Sequence, residues 1–208
     1  MKLLKLTALS AALLSTSALA DWSANVGLVS DYHFRGIQQT ESASASAGID
    51  YTDGGVYAGL WTAEVEDGLE VDLYGGYGHA FENGLELGIG FTSYQYTGDF
   101  DSEYNEVNLT GGFGMVSFEY SFGEWKGPVA GEGMGIDSDY SFYAVTLEKN
   151  GFYGTFGAWG NDFDGEYTEF GYGTSYEGFD LGVGLVFSGS DLDDSESLYF
   201  SIGKSFDL

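Results

Sequence analysis

Phe179-Asp180-Leu181-Gly182-Val183-Gly184-Leu185-Val186-Phe187 is the stretch that decides the fold class. Phe179, Leu181, Val183, Leu185 and Phe187 take one face, with Asp180, Gly182 and Gly184 between them. A period of two specifies a strand with one face in an apolar medium and the other in a polar one. The same rhythm runs from Trp22 to Leu208 in segments of roughly ten residues, the length a tilted membrane strand needs. A soluble sandwich has this period too. What separates the two is what precedes the pattern and what fills its polar face.

The first twenty residues stand apart. Lys2 and Lys5 make a positive end, Leu6 to Leu14 is apolar, and Ala18-Leu19-Ala20 supplies small residues at the cleavage positions. This predicts a secretory signal peptide over residues 1–20, cut before Asp21, and one mature domain over 21–208. The apolar run is too short to anchor the chain in a bilayer as a helix. Nothing after Asp21 has the length and apolarity of a spanning helix, so a membrane role must fall to strands.

Composition narrows the partners. With no cysteine, an exported chain has no disulfide framework, and closure and packing must stabilise it. A single proline and 34 glycines suit strands and turns rather than helices. The 33 acidic residues outnumber six basic ones, for a net charge of −27. Nucleic acid is excluded as a partner, because phosphate contacts need Lys and Arg. Disorder is argued against by an aromatic content of 17%. An acidic surface can also be an adaptation to salt, which needs no functional acid.

Turn signals divide the chain into strands. Tight ones occur at Asp53-Gly54-Gly55, Glu82-Asn83-Gly84, Gly112-Phe113-Gly114, Lys149-Asn150-Gly151 and Glu177-Gly178. Longer, mostly acidic connections lie between them: 31–41, 64–68, 98–103, 126–139, 161–165 and 188–195. Short and long alternate strictly, so all short turns fall at one end. The prediction is an all-β, antiparallel up-and-down transmembrane barrel of about twelve strands, with ten and fourteen still open. Its spans run from Trp22–Asp31 and Ser42–Thr52 to Glu196–Asp207. Short turns face the periplasm and the longer acidic loops face outward. Gly84–Phe91 resembles Gly178–Leu185, and Gly55-Val56-Tyr57 resembles Gly151-Phe152-Tyr153, as a duplicated six-strand unit would produce.

The faces follow from the medium. Val116, Phe118, Tyr120 and Phe122 form an apolar stripe, as do Leu69, Val71 and Leu73, and Leu85, Leu87, Ile89 and Phe91. Their opposite faces carry Glu119, Glu70, Asp72 and Glu86 among many Gly and Ser, which fits a crowded lumen. Trp22, Trp125, Trp159 and Tyr176 sit near segment ends, where interfacial girdles occur. The last strand keeps its apolar alternation to Leu208, as a signal for the barrel-assembly machinery does, although such signals usually end on an aromatic residue. Lys204 on its apolar face must snorkel to the interface.

Four further stretches stand out. Asn25–Thr40 reads NVGLVSDYHFRGIQQT, with Gly48-Ile49-Asp50-Tyr51, Tyr57–Trp61 and Glu70–Tyr77 behind it. Over Trp22 to Tyr77 the chain resembles the TorF family of porins, bacterial outer-membrane proteins of unknown function. His33 and Glu64 depart from the pattern, standing where an apolar residue and an Asn are expected. The resemblance implies a Gram-negative outer-membrane barrel and carries no substrate with it.

Candidate pore-lining acids sort by depth. Asp50, Glu86 and Asp180 lie beside short turns, and Glu70, Asp72 and Glu106 nearer the outer mouth, with Glu119 on the same polar face. Carboxylate rings favour cations, while solvated acids at barrel ends would leave transport untouched. Arg35, the only arginine, enters the first long connection. It reads either as a constriction residue facing the lumen acids or as a structural ion pair pinning the loop to the wall. The connection over 126–139 is long and Gly-rich enough to fold into the lumen.

Enzymatic chemistry has no candidate set. His33 and His79 fall at opposite ends of the barrel, and no Ser-His-acid group can be assembled. The loop pairs Asp99/Asp101, Asp137/Asp139, Asp162/Asp164 and Asp191/Asp193/Asp194 lack the spacing of a calcium loop and read as a solvated rim. No cofactor is implied. The expected function is a narrow outer-membrane channel for small hydrophilic solutes with a preference for cations, partnered by outer-membrane lipids. The alternatives are a closed barrel acting in adhesion or envelope structure through its acidic loops, and a secreted soluble sandwich.

Overall fold

The computed structural model describes residues 20–127, 137–192 and 194–208. The expected signal peptide, Asp193 and most of the 126–139 connection lie outside the described residues. The chain begins with β1 (Asp21–Val29), a small hairpin of β2 (His33–Phe34) and β3 (Ile37–Gln38), then β4 (Ser44–Asp53) and β5 (Val56–Glu64). Next come β6 (Leu69–Ala80), β7 (Leu85–Tyr96), β8 (Tyr104–Phe113), β9 (Val116–Trp125) and β10 (Ser138–Lys149). The last four are β11 (Phe152–Asn161), β12 (Glu166–Tyr176), β13 (Phe179–Ser188) and β14 (Glu196–Asp207). All except β2 and β3 close into one antiparallel barrel of neighbours in chain order, sealed where β1 pairs with both β4 and β14. Closure leaves no sheet edge, which is the condition for strands to lie in lipid.

Twelve strands in alternating short and long connections is the architecture the turn signals predict. The first two strand spans shift by up to two residues, and the last is as expected. Asn150-Gly151 and Glu177-Gly178 have positive φ at both residues (55° and 84°, 49° and 79°). That is the geometry a two-residue hairpin needs to match strand twist. β7 and β13, which carry the two resembling stretches, stand six strands apart in barrel order.

The deciding stretch lies as its period requires. Phe179, Leu185 and Phe187 are exposed on the outer face, while Gly184, Val186 and Ser188 are buried inside. Val26, Leu73, Ile89, Phe118, Leu147 and Phe200 extend this exposed apolar surface around the wall. A continuous apolar belt of that kind marks a lipid-facing surface. Lys204, on the same face, rests its ammonium over Phe179 and Phe206, 4.8 and 5.5 Å from the ring centroids. Aromatic faces near the short-turn end thus replace part of its hydration.

The buried core is inside the barrel. Tyr140, Phe142, Ala144, Trp159, Tyr167 and Val186 form its main cluster, with Phe34 and Ile37 packed on it. This corrects the expected girdle. Trp159 is buried in the lumen, and Trp125 packs on Tyr104 and Phe163 and donates its indole N–H to Asp101. Only Trp22 and Tyr176 of that set are exposed on the outer face. β11 carries apolar and small residues on both faces, so its alternation does not say which side Trp159 takes.

Glycines on the inner face make room for tyrosine rings. A Cβ on Gly184 would lie 2.5 Å from the Tyr199 ring and one on Gly59 2.5 Å from Tyr74, and one on Gly171 would run into Tyr153. Gly184→Ala is expected to lower stability by about 1–3 kcal/mol, the usual cost of overpacking. In a Tyr199→Ser background the same change should cost far less. Urea unfolding of the four variants in lipid vesicles measures that coupling.

Candidate functional site

The first long connection turns inward and fills the long-loop half of the lumen. Arg35-Gly36, at φ 48° and 85°, makes the tight turn between β2 and β3. A side chain at Gly36 would run into Tyr167 at 2.6 Å from its Cβ and 2.7 Å from its ring, so only glycine lets the tip seat against the wall. The base of the hairpin is tied by Gln39 N–H to Tyr32 O (2.7 Å) and Tyr32 N–H to Thr40 Oγ1 (2.9 Å). Glu66 N–H donates to Gln39 O (3.0 Å), joining it to the next loop.

Arg35 is the centre of the plug. Nη1 and Nη2 donate in parallel to the two oxygens of Glu106 (2.8 and 2.9 Å). Nη2 also donates to Glu119 Oε1 (2.6 Å) and Ser121 Oγ (3.0 Å). The guanidinium lies 4.3 Å from the Phe142 ring centroid, 4.9 Å from Phe34 and 5.5 Å from Trp159. Burial alone would lower its pKa. The carboxylates of Glu106 and Glu119 outweigh that and hold it well above the usual arginine value. The group therefore stays charged.

Glu106 is held from several strands at once. Besides Arg35 it accepts from Tyr94 (2.7 Å), Tyr140 (2.9 Å) and Asn108 (2.7 Å). Asn108 also donates to Ser121 (3.0 Å), which donates to Glu119 (3.1 Å), and Thr92 holds the Asn108 oxygen (2.9 Å). A buried carboxylate pair is tolerable only when its lone pairs are filled in this way.

The hairpin bears on the wall in every direction. Tyr32 stacks edgewise on Trp61 of β5 and donates to Glu70 of β6 (2.8 Å). Phe34 packs on Tyr94 of β7. On the other side Trp159 of β11 donates to Arg35 O (3.2 Å), and Ser188 of β13 donates to Gly36 O. His33 stacks on Tyr199 of β14, with its Nδ1 3.1 Å from Asp31. Burial, with Glu70 and Asp72 nearby, raises the Tyr32 hydroxyl well above its ordinary pKa, so it remains a neutral donor.

The predicted acids separate into groups. Glu106 and Glu119 meet at Arg35. Glu70 accepts from Tyr32 and Tyr96 (3.0 Å). Asp72 is fully buried, and neither of its oxygens has a hydrogen-bond partner among the described residues. Asp50 accepts from Asn25 (3.2 Å) and Tyr74. Glu86 and Asp180 lie at the short-turn end, Glu86 exposed in a cleft with Glu148 and Gly112, and Asp180 bonded by Ser175. No set of three acids or histidines among the described residues converges on a metal-sized site. His79 is exposed on the outer face, edge-on to Phe81.

Sequence reading missed the aromatic part of the lumen. Tyr94, Tyr140, Phe142 and Trp159 line the Arg35 seat, and Glu169 accepts from both Tyr153 and Tyr199. Period two places Tyr94 and Glu169 on the inner face with Glu86 and Asp180. An apolar residue on a nominally polar face was the available signal.

Comparison with known proteins adds family and fold. The profile of a family described as bacterial protein of unknown function (Gcw_chp) matches residues 15–159. No curated protein is similar in sequence. Among solved structures, a chain from work on the in-meso crystallisation of membrane proteins is 9% identical. That match covers 90% of this chain and 84% of the other, with a TM-score of 0.61. The outer membrane protein OpdK from Pseudomonas aeruginosa is 13% identical at a TM-score of 0.42, over 90% of this chain and 61% of its own. Acinetobacter baumannii OccAB1 is 11% identical at 0.45, over 80% and 58%. The chain thus spans about three-fifths of the length of these last two.

Proposed function

This chain belongs to the Gcw_chp family of bacterial proteins of unknown function, and from its barrel we propose that it is a narrow outer-membrane channel closed at rest by its first loop. The observation that carries the reading is the chemistry of the plug. The hairpin is held by the Arg35 ion pairs and by hydrogen bonds from Tyr32, Trp159 and Ser188, which water can replace when it leaves, and by the packing of Phe34 and Ile37 on the inner aromatic cluster. Behind it the inner face carries glycines, acids and tyrosines whose hydroxyls bond those acids, Tyr74 to Asp50 and both Tyr153 and Tyr199 to Glu169. The resemblance of Asn25–Thr40 to TorF-family porins points the same way, since that stretch is β1 and the plug. The signal peptide over 1–20 delivers the chain to the periplasm, short turns stay on that side, and the loops face outward.

Small hydrophilic solutes pass once the hairpin swings out, and the lumen acids favour cations. Recording in planar bilayers tests this. Wild-type protein should give rare, brief events, and a variant with residues 33–38 replaced by a Gly-Ser linker should stay open. Under a KCl gradient the open variant should show a cation-selective reversal potential. Silence of both proteins at every salt concentration would refute the channel, and an anion preference would refute the role of the acids.

A further inference from the structure

The seat of Arg35 has the features of a receptor. Both oxygens of Glu106 meet the Nη1–Nη2 edge of the guanidinium in parallel, Glu119 and Ser121 share Nη2 with it, and Phe142 and Trp159 cover the group. Parallel paired bonds and a stacked aromatic ring select a planar guanidinium over a point-like ammonium. The wall part of this seat does not need Arg35 to hold its shape. Tyr94, Tyr140 and Asn108 orient Glu106, and Ser121 orients Glu119, all from barrel strands.

A second observation points to a cationic occupant beyond Arg35. Asp72 is the register neighbour of Tyr94, is fully buried, and has no hydrogen-bond partner on either oxygen among the described residues. A positive group moving past Tyr94 would meet this buried acid. Arg35 is also the only arginine in a chain with 33 acidic residues, so no second protein cation of that shape competes for the seat.

We propose that the Glu106–Glu119–Phe142–Trp159 seat is the solute site of the channel, that it takes the guanidinium group of small cationic solutes, and that Arg35 closes the barrel by occupying it in their place. This rests on the channel reading above. A guanidinium solute and Arg35 then exclude one another, so solute arrival frees the hairpin and withdrawal of solute lets it return.

The test is binding of methylguanidinium chloride to full-length Arg35→Ala in detergent, read by tryptophan fluorescence and by the thermal denaturation midpoint. The variant should show a saturable response at millimolar concentrations. Equal concentrations of KCl, urea and methylammonium chloride should reproduce less than a tenth of it. Wild type, whose seat is filled, should respond at least tenfold more weakly. Arg35→Ala/Glu106→Gln should lose at least tenfold in apparent affinity. Should Arg35→Ala fail to fold, the variant with 33–38 replaced by a linker keeps every wall residue and serves in its place. A response no larger than that of KCl or urea, or one retained in the Glu106→Gln double variant, overturns the proposal. Binding in a protein that never conducts would leave the site standing and remove the channel, whereas conduction without binding would do the reverse.

Discussion

Arg35→Ala is expected to open the barrel. Removing the guanidinium while the hairpin stays in place leaves the Glu106 and Glu119 carboxylates buried without a counter-charge, which costs about 3–5 kcal/mol. The hairpin keeps other anchors. The bonds from Trp159 and Ser188 to its backbone contribute about 1 kcal/mol each, and the Tyr32–Glu70 bond about 1.5–3 kcal/mol. The loss is therefore as large as these three bonds together. Swinging out lets water reach both carboxylates and removes that cost. Since each 1.4 kcal/mol is a factor of ten, the open fraction should rise by about 100-fold or more over wild type. Single-channel recording reads this directly. Arg35→Lys should fall between the two, because an ammonium keeps the charge but not the paired bonds to Glu106. An unchanged open fraction in Arg35→Ala would mean that the ion pair does not hold the plug.

Ile89→Arg should prevent stable insertion. Ile89 lies at the middle of β7 with its side chain 54% exposed on the outer face. In lipid, a cation at that depth costs about 2–4 kcal/mol. In water, replacing an exposed isoleucine by arginine costs nothing of that size and improves solubility. The two media thus predict opposite outcomes from one substitution. Heat-modifiable gel migration after refolding into vesicles should show a large loss of folded barrel for Ile89→Arg. Thr92→Ser, on the inner face of the same strand, should refold as wild type does. Normal yield for Ile89→Arg, with protein recovered in the soluble fraction, would mean that the barrel wall does not face lipid.

Strand number, strand faces and the alternation of turns and loops are legible in the amino-acid sequence. Each of these is a local property. Period two assigns faces one residue at a time, and pairs such as Asn150-Gly151 bend the chain wherever they occur. The lumen acids are legible for the same reason: Glu70, Asp72, Glu106 and Glu119 lie opposite apolar neighbours. The lumenal tryptophans are not. Trp159 and Trp125 sit near strand ends, where an aromatic suits either an interface or the inside of a plugged barrel, and the local pattern is the same for both.

The plug shows the limit most clearly. The sequence marks Arg35 as the one arginine, places it in the first long connection, and leaves two roles for it. The folded chain joins those roles, because the first long connection enters the lumen and is pinned there by the ion pair. Its partners are Glu106, Glu119, Phe142 and Trp159, 71 to 124 residues along the chain. Only closure of the barrel brings them to one point. By itself, then, the sequence determined a wall with an apolar outside and a small, acidic inside, since side-chain period and turn chemistry act over a few residues. Whether the inside is open, and which loop fills it, was decided by tertiary structure, since that depends on groups that become neighbours only when β1 meets β14.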